Sequence, residues 1–201
     1  MNILAASVWL RYLQHLDADI PFPVNGYKGD YIRDIAAELA DKYGYAFVHD
    51  TRHIMDGIPA DEPDGGDKEA HIDALIDRAK SLLGDNDYRL VFEAGLDAIL
   101  ADISEDLEEF GVHYDVWYSE QTLAERKLID KAVNQLKDAG HIYEDKGALW
   151  FRSTDFGDEK DRVIIRDNGQ ATYFASDIAY HMDKFDRGFQ RVINIWGADH
   201  H

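Results

Sequence analysis

Residues 191–201 read Arg191-Val192-Ile193-Asn194-Ile195-Trp196-Gly197-Ala198-Asp199-His200-His201. Val192, Ile193, Ile195 and Trp196 are apolar, three of them β-branched, with little alternation, which predicts a strand over 191–196 buried on both faces of a parallel sheet. Gly197 ends it, and the polar side chains Asp199, His200 and His201 come just after. In open α/β sheets, ligands sit beyond the C-terminal ends of strands, where glycine lets a flat ring or a backbone approach closely. A carboxylate at that place can accept from both hydroxyls of a ribose, and a histidine can donate to a carboxylate or a phosphate. A polar turn that merely finishes a strand fits the same residues as well.

Working outward, residues 162–166 predict another strand, ended by the turn sequence Asp167-Asn168-Gly169, and residues 176–185 a helix. Ile142-Tyr143-Glu144, Gly147 and the run 148–152 predict a hairpin. Residues 120–139 predict one helix with Ser119 as its cap and Gly140 after it. The alternating aromatic run His113-Tyr114-Asp115-Val116-Trp117-Tyr118 predicts a strand. Upstream the spacing is helical: 3–16, broken by Pro21, Pro23 and Gly26; then 30–43, closed by Gly44; then 69–83 and 86–110, closed by Gly111. Residues 50–68, with Gly57, Pro59, Pro63, Gly65 and Gly66, predict a mobile surface loop. The fold class is therefore α/β, with a mainly helical region over 1–111 and alternating strands and helices over 112–201. No internal repeat or low-complexity tract interrupts it.

Composition bounds the function. Of 201 residues, 45% are hydrophobic and 12% aromatic, ample for a packed core. No apolar run approaches the roughly 20 residues needed to span a bilayer, and the N-terminus has neither a basic region nor a cleavage site. The absence of cysteine excludes disulfides, thiolate nucleophiles and thiolate-bound zinc, and agrees with a reducing cytoplasm. Forty acidic residues against 21 basic ones give a net charge of -19. That balance makes the chain a poor autonomous nucleic-acid binder and favours a cationic small molecule, besides keeping the protein soluble.

One further stretch carries chemistry: Thr172-Tyr173-Phe174-Ala175-Ser176-Asp177-Ile178-Ala179-Tyr180-His181. On a helix, Tyr173 and Asp177 are four apart and share a face, which Tyr180 continues. A phenol beside a carboxylate can hold a cationic head group, and a guanidinium matches a carboxylate bidentately. A surface aspartate beside a half-buried tyrosine is the alternative reading of the same spacing.

These strings, together with Gly147–Val163, Ser7-Val8-Trp9-Leu10-Arg11-Tyr12-Leu13 and Gly26-Tyr27-Lys28-Gly29-Asp30-Tyr31-Ile32-Arg33-Asp34-Ile35-Ala36, resemble the class I arginyl-tRNA synthetases of bacterial type, in order and over essentially the whole chain. The resemblance implies an internal piece of the catalytic domain: the second half of a Rossmann-type fold, preceded by a helical connecting region. It implies that Tyr173 and Asp177 hold arginine, that Gly197 lies under the adenosine of ATP, that Asp199 binds the ribose, and that His200 faces the arginine carboxylate or the α-phosphate. His201 has no assigned role. ATP and Mg²⁺ are implied as substrate and activator, with no prosthetic group and no protein-bound metal. The implied partners are arginine, ATP and, through domains outside this sequence, tRNA. The parent enzyme is implied to be a cytoplasmic monomer.

Departures narrow these expectations. Neither the His-Ile-Gly-His type sequence nor the Lys-Met-Ser-Lys-Ser type loop of class I synthetases occurs among the 201 residues. Those motifs stabilise charge on the transferring phosphates, so the chain alone is expected to be inactive. The cluster Asp155, Asp158, Glu159 and Asp161 is expected to be a solvated turn, its spacing not being that of a calcium loop. Two other functional readings stand beside the synthetase. His181, Asp199, His200 and His201 could ligate a metal in a hydrolase, although adjacent residues of an extended segment point to opposite faces. Alternatively the helical region 1–110 acts as a scaffold, and its bared apolar surface lets the chain self-associate.

Overall fold

The computed structural model describes residues 1–195 and 197, which fall into two units, Met1–His113 and Tyr114–His201. The first is helical. Its central helix, α1 (Asn2–His15), buries Leu4 to Leu10, Tyr12 and Leu13, more than one stripe, as expected of a helix enclosed by neighbours. Two of its aromatics also carry polar atoms, and both are matched. Trp9 Nε1 donates to the Phe47 carbonyl at 2.8 Å; Tyr12 Oη donates to Gly44 O at 2.6 Å and accepts from Phe47 N at 3.2 Å. These bonds fasten the segment that follows α2 (Asp30–Tyr43) across the core helix. α2 turns inward Ile32, Ile35, Ala36, Leu39 and Ala40, the predicted face.

Residues 50–68 are more ordered than a mobile loop. They contain α3 (Thr51–Met55) and a 3₁₀ turn, Glu62–Asp64. The acidic residues that read as loop polarity serve as caps and anchors. Asp50 accepts from Arg52 N at 2.8 Å, and Asp67 accepts from Glu69 N and Ala70 N at 2.8 and 3.1 Å. Asp61 accepts from Val24 N and Glu62 N, each at 2.8 Å. Burial opposes ionisation of Asp61, but these two amides, together with the neighbouring His71 and Lys28, hold the carboxyl below its ordinary pKa. Buried His71 adds a further tie through Nδ1 and the Pro59 carbonyl, 2.6 Å apart.

The two helices predicted at 69–83 and 86–110 form one run, α4 (Lys68–Glu109), that changes direction at Gly84 (φ 69°, ψ 176°), a conformation essentially reserved for glycine. Beyond the bend, Gly95 meets α1: a Cβ there would lie 3.2 Å from Leu4 Cγ. The predicted apolar stripe is only partly covered, since Leu100, Ile103 and Phe110 stay exposed.

The second unit departs from expectation in three places. The predicted strand 113–118 does not form; Tyr114, Val116 and Trp117 are exposed and have no ladder partner among the described residues. The predicted strand from Arg191 is also absent over 191–195, where Ile193 is 74% and Ile195 93% exposed. Neither segment has a strand beside it among the described residues, and an isolated strand leaves its amides and carbonyls unpaired. The third departure is the helix 120–139, which splits into α5 (Gln121–Glu125) and α6 (Leu128–Asp138) at Lys127, φ 52°. In a continuous helix Leu123 and Leu128 would point about 140° apart. The break lets both be buried in one cluster with Ala132 and Ala179. Ser119 makes no side-chain cap; the residue preceding α5 is Glu120.

The predicted hairpin is present. β1 (Ile142–Asp145) and β2 (Ala148–Phe151) pair antiparallel, Ile142 opposite Phe151 and Asp145 opposite Ala148. Lys146 and Gly147 both have positive φ, 51° and 79°, the two-residue turn whose twist suits a hairpin. β3 (Arg162–Ile165) adds antiparallel to β2 with a register shift between Leu149 and Trp150. The sheet order is β1-β2-β3, so the described sheet is antiparallel, not parallel. α7 (Tyr173–Asp186) starts three residues earlier than the predicted 176.

Candidate functional site

α7 is held at both ends. At its start Thr172 ties it to β3: the amide donates to Ile164 O at 2.9 Å and the hydroxyl to Val163 O at 2.9 Å. Phe174 packs on Phe151, ring centroids 6.0 Å apart. Along the helix Ala175, Ala179 and Asp183 are buried, a stripe of period four that faces α5 and α6. At its end Asp183 lies between two arginines, 3.1 Å from Arg126 Nη1 and 3.0 Å from Arg187 Nε. Its side chain is 1% exposed, whereas those arginines are 57% and 29% exposed. Arg187 also covers the ring of Tyr118, which stacks on Tyr180 at 4.5 Å. Burial, and then the Asp183 charge, raise the Tyr118 phenol above its ordinary pKa.

Asp183→Asn keeps this shape and removes the charge. Both arginines can still reach water, so the expected loss is modest, about 1–3 kcal/mol. A lowered urea midpoint with an unchanged slope would show it; an unchanged midpoint would mean the pair contributes nothing.

Two positions before Ala175 and Ala179, about 200° around the helix, come Tyr173 and Asp177. Tyr173 is 87% exposed and Asp177 is exposed. The predicted pair is therefore together on one open face of a helix whose opposite face is fixed. Asp177 keeps its carboxylate unspent among the described residues; its backbone carbonyl meets His181 Nδ1 at 2.8 Å. Tyr180, predicted to continue this face, is instead half-buried on Tyr118, with Lys184 Nζ 4.1 Å from its ring centroid.

Gly197 is exposed and lies in no helix or strand. Asp199, His200 and His201 lie outside the described residues. The acidic cluster is a turn, but an internally bonded one. Asp158 receives Arg162 Nε and Nη2 at 2.6 and 2.7 Å. That hydrogen-bonded guanidinium holds the Asp158 carboxyl far below the usual carboxylate range. Asp161 receives the Thr154 amide and hydroxyl at 3.1 and 2.8 Å. Sequence reading missed the Asp183 clamp. Asp183 and Arg187 are four apart and could have been noticed; Arg126 is 57 residues distant and could not.

No protein-family model matches the chain. Against individual proteins it is 63% identical over all 201 residues to an arginine–tRNA ligase of Thioalkalivibrio sulfidiphilus, and 58% identical to one of Legionella pneumophila. The whole chain is homologous to a stretch of the bacterial arginine–tRNA ligases. A ligase of Hydrogenovibrio crunogenus aligns at 56% over 207 positions. The chain spans about a third of the length of these curated relatives, 34% of the first two and 35% of the third. In three dimensions it is similar to an arginyl-tRNA synthetase structure from Campylobacter jejuni, with a TM-score of 0.65 and 34% identity, over all of this chain and 36% of that one. No helix among the described residues is long and apolar enough to cross a membrane.

Proposed function

We propose that this chain supplies the arginine-recognition part of an arginine–tRNA ligase active site. The observation that carries the reading is the 63% identity to such a ligase across all 201 residues. Asp177 accepts the substrate guanidinium through a bidentate, charge-assisted pair, and the Tyr173 ring forms a wall of the pocket. Gly197 lets the adenosine approach the backbone, Asp199 takes the ribose hydroxyls, and His200 faces the arginine carboxylate or the α-phosphate. Residues 112–201 belong in this reading to the second half of a Rossmann-type catalytic domain, and 1–111 to the helical region that connects to it. The ligase acts in the cytoplasm on arginine, ATP and tRNA.

The reaction joins the arginine carboxylate to the α-phosphorus of ATP by in-line displacement, releasing pyrophosphate; the adenylate then acylates tRNA and releases AMP. The role of the chain is positioning of the reactants, which removes their relative motion before the bond forms. Magnesium would enter with the nucleotide. Among the described residues no three His, Asp or Glu side chains converge on one point.

The phosphate-handling motifs of class I synthetases are absent from these 201 residues. The isolated chain is therefore expected to give no arginine-dependent exchange of labelled pyrophosphate into ATP. Exchange at a rate typical of an enzyme, about 1 s⁻¹ or faster, would overturn this reading of its role.

A further inference from the structure

A cavity of about 240 Å³ in the helical unit is lined by Arg11, Gln14, His15 and Arg33. No carboxylate lines it, in a chain with 40 acidic residues and 21 basic ones. Neither Arg11 nor Arg33 forms an ion pair among the described residues. Arg11 is nonetheless rigidly placed. Its Nη1 donates to Gln14 Oε1 at 2.7 Å, Gln14 Nε2 donates to Ile20 O at 2.7 Å, and the guanidinium lies 3.7 Å from the Phe22 ring centroid. Its Nε is buried without a partner. Burial first, and the Arg33 charge second, make Arg11 easier to deprotonate than usual. A fixed guanidinium, a second one close enough to repel it, and no acid to offset either form an arrangement that an anion would stabilise.

The kind of anion follows from donor geometry. An arginine fork matches a phosphoryl group as it does a carboxylate, but the oxygens of a phosphoryl group are disposed tetrahedrally rather than in one plane, so two forks and an imidazole can reach it from different directions. We propose that Arg11 and Arg33, with His15 at the rim, form a binding site for a phosphoryl group, either a free phosphate or one phosphate of an RNA backbone. The inference stands apart from the proposed arginine site, which uses none of these residues.

The test is direct binding by the 201-residue chain. Calorimetric titration with inorganic phosphate, and with acetate as control, addresses the free anion. Fluorescence anisotropy with a short single-stranded RNA addresses the backbone. Saturable phosphate binding without acetate binding, weakened at least about tenfold by Arg33→Ala, supports a free-phosphate site. RNA binding without phosphate binding, with the Arg33→Ala salt slope shallower by about one, supports the backbone source. Arg33 is exposed, so its replacement leaves the fold intact, and unchanged circular dichroism verifies that. Arg11→Lys, which keeps charge but loses the fork, should weaken binding in the same assay. Binding of neither ligand, equal binding by wild type and Arg33→Ala, or acetate binding as tight as phosphate binding overturns the proposal.

Discussion

Asp177→Ala in the complete ligase is expected to raise the KM for arginine by about 10–100-fold while leaving that for ATP nearly unchanged. The asymmetry follows from the proposed chemistry. A hydrogen bond to a charged group contributes about 1.5–3 kcal/mol, and each 1.4 kcal/mol is a factor of ten. The arginine guanidinium would lose the carboxylate assigned to it, whereas the nucleoside is assigned to Gly197 and Asp199. The backbone does not depend on Asp177. Its side chain is exposed, and α7 is fixed by Thr172, Ala175, Ala179 and Asp183 on other faces. Steady-state kinetics with each substrate varied in turn separates the outcomes. Equal loss for arginine and ATP would remove Asp177 from the arginine pocket and point to a general disturbance. Loss for ATP alone would reverse the assignment.

Trp9→Ala is expected to be the most damaging single truncation in the helical unit, costing about 3–5 kcal/mol. The indole is 1% exposed, so its removal opens a large cavity in a core that α1 shares with α2 and α4. It also orphans the Phe47 carbonyl, which takes the indole N–H at 2.8 Å. Trp9→Phe, which fills most of the space but cannot donate, should recover the greater part and leave about 1–3 kcal/mol for the unpaired carbonyl. Urea unfolding followed by far-ultraviolet circular dichroism measures both. Equal losses for Ala and Phe would mean that the hydrogen bond dominates and the cavity collapses cheaply.

Elements with a local cause were legible in the sequence. The apolar spacing of Ile32, Ile35, Ala36 and Leu39 specified α2 and its buried face. The gap between the predicted helices 69–83 and 86–110 coincides with the bend of α4 at Gly84, and Gly147 between two short apolar runs marked the hairpin. The Tyr173–Asp177 pair was legible too, since a spacing of four on a helix places two side chains together wherever that helix lies. Elements that require a distant partner were misread. The run 113–118 and the run from Arg191 have the composition of strands, but a strand exists only when another backbone completes its hydrogen bonds, and none does so among the described residues.

By itself, then, the sequence determined the class of each locally encoded segment, the candidate pair on α7 and, through in-order resemblance, the ligase homology. Tertiary structure decided which polar residues are occupied. Asp61 and Asp158 read as loop polarity but are spent on backbone amides and an arginine. Asp183 carried no role in the sequence reading, but it is the buried clamp of α7. Arg11 and Arg33 stood in the sequence only within the strings of resemblance, and folding places them around one cavity without a counterion among the described residues. The physical reason is range. Periodicity and turn chemistry act over a few residues, whereas pairing, burial and charge complementarity depend on which remote segments the packed core brings together.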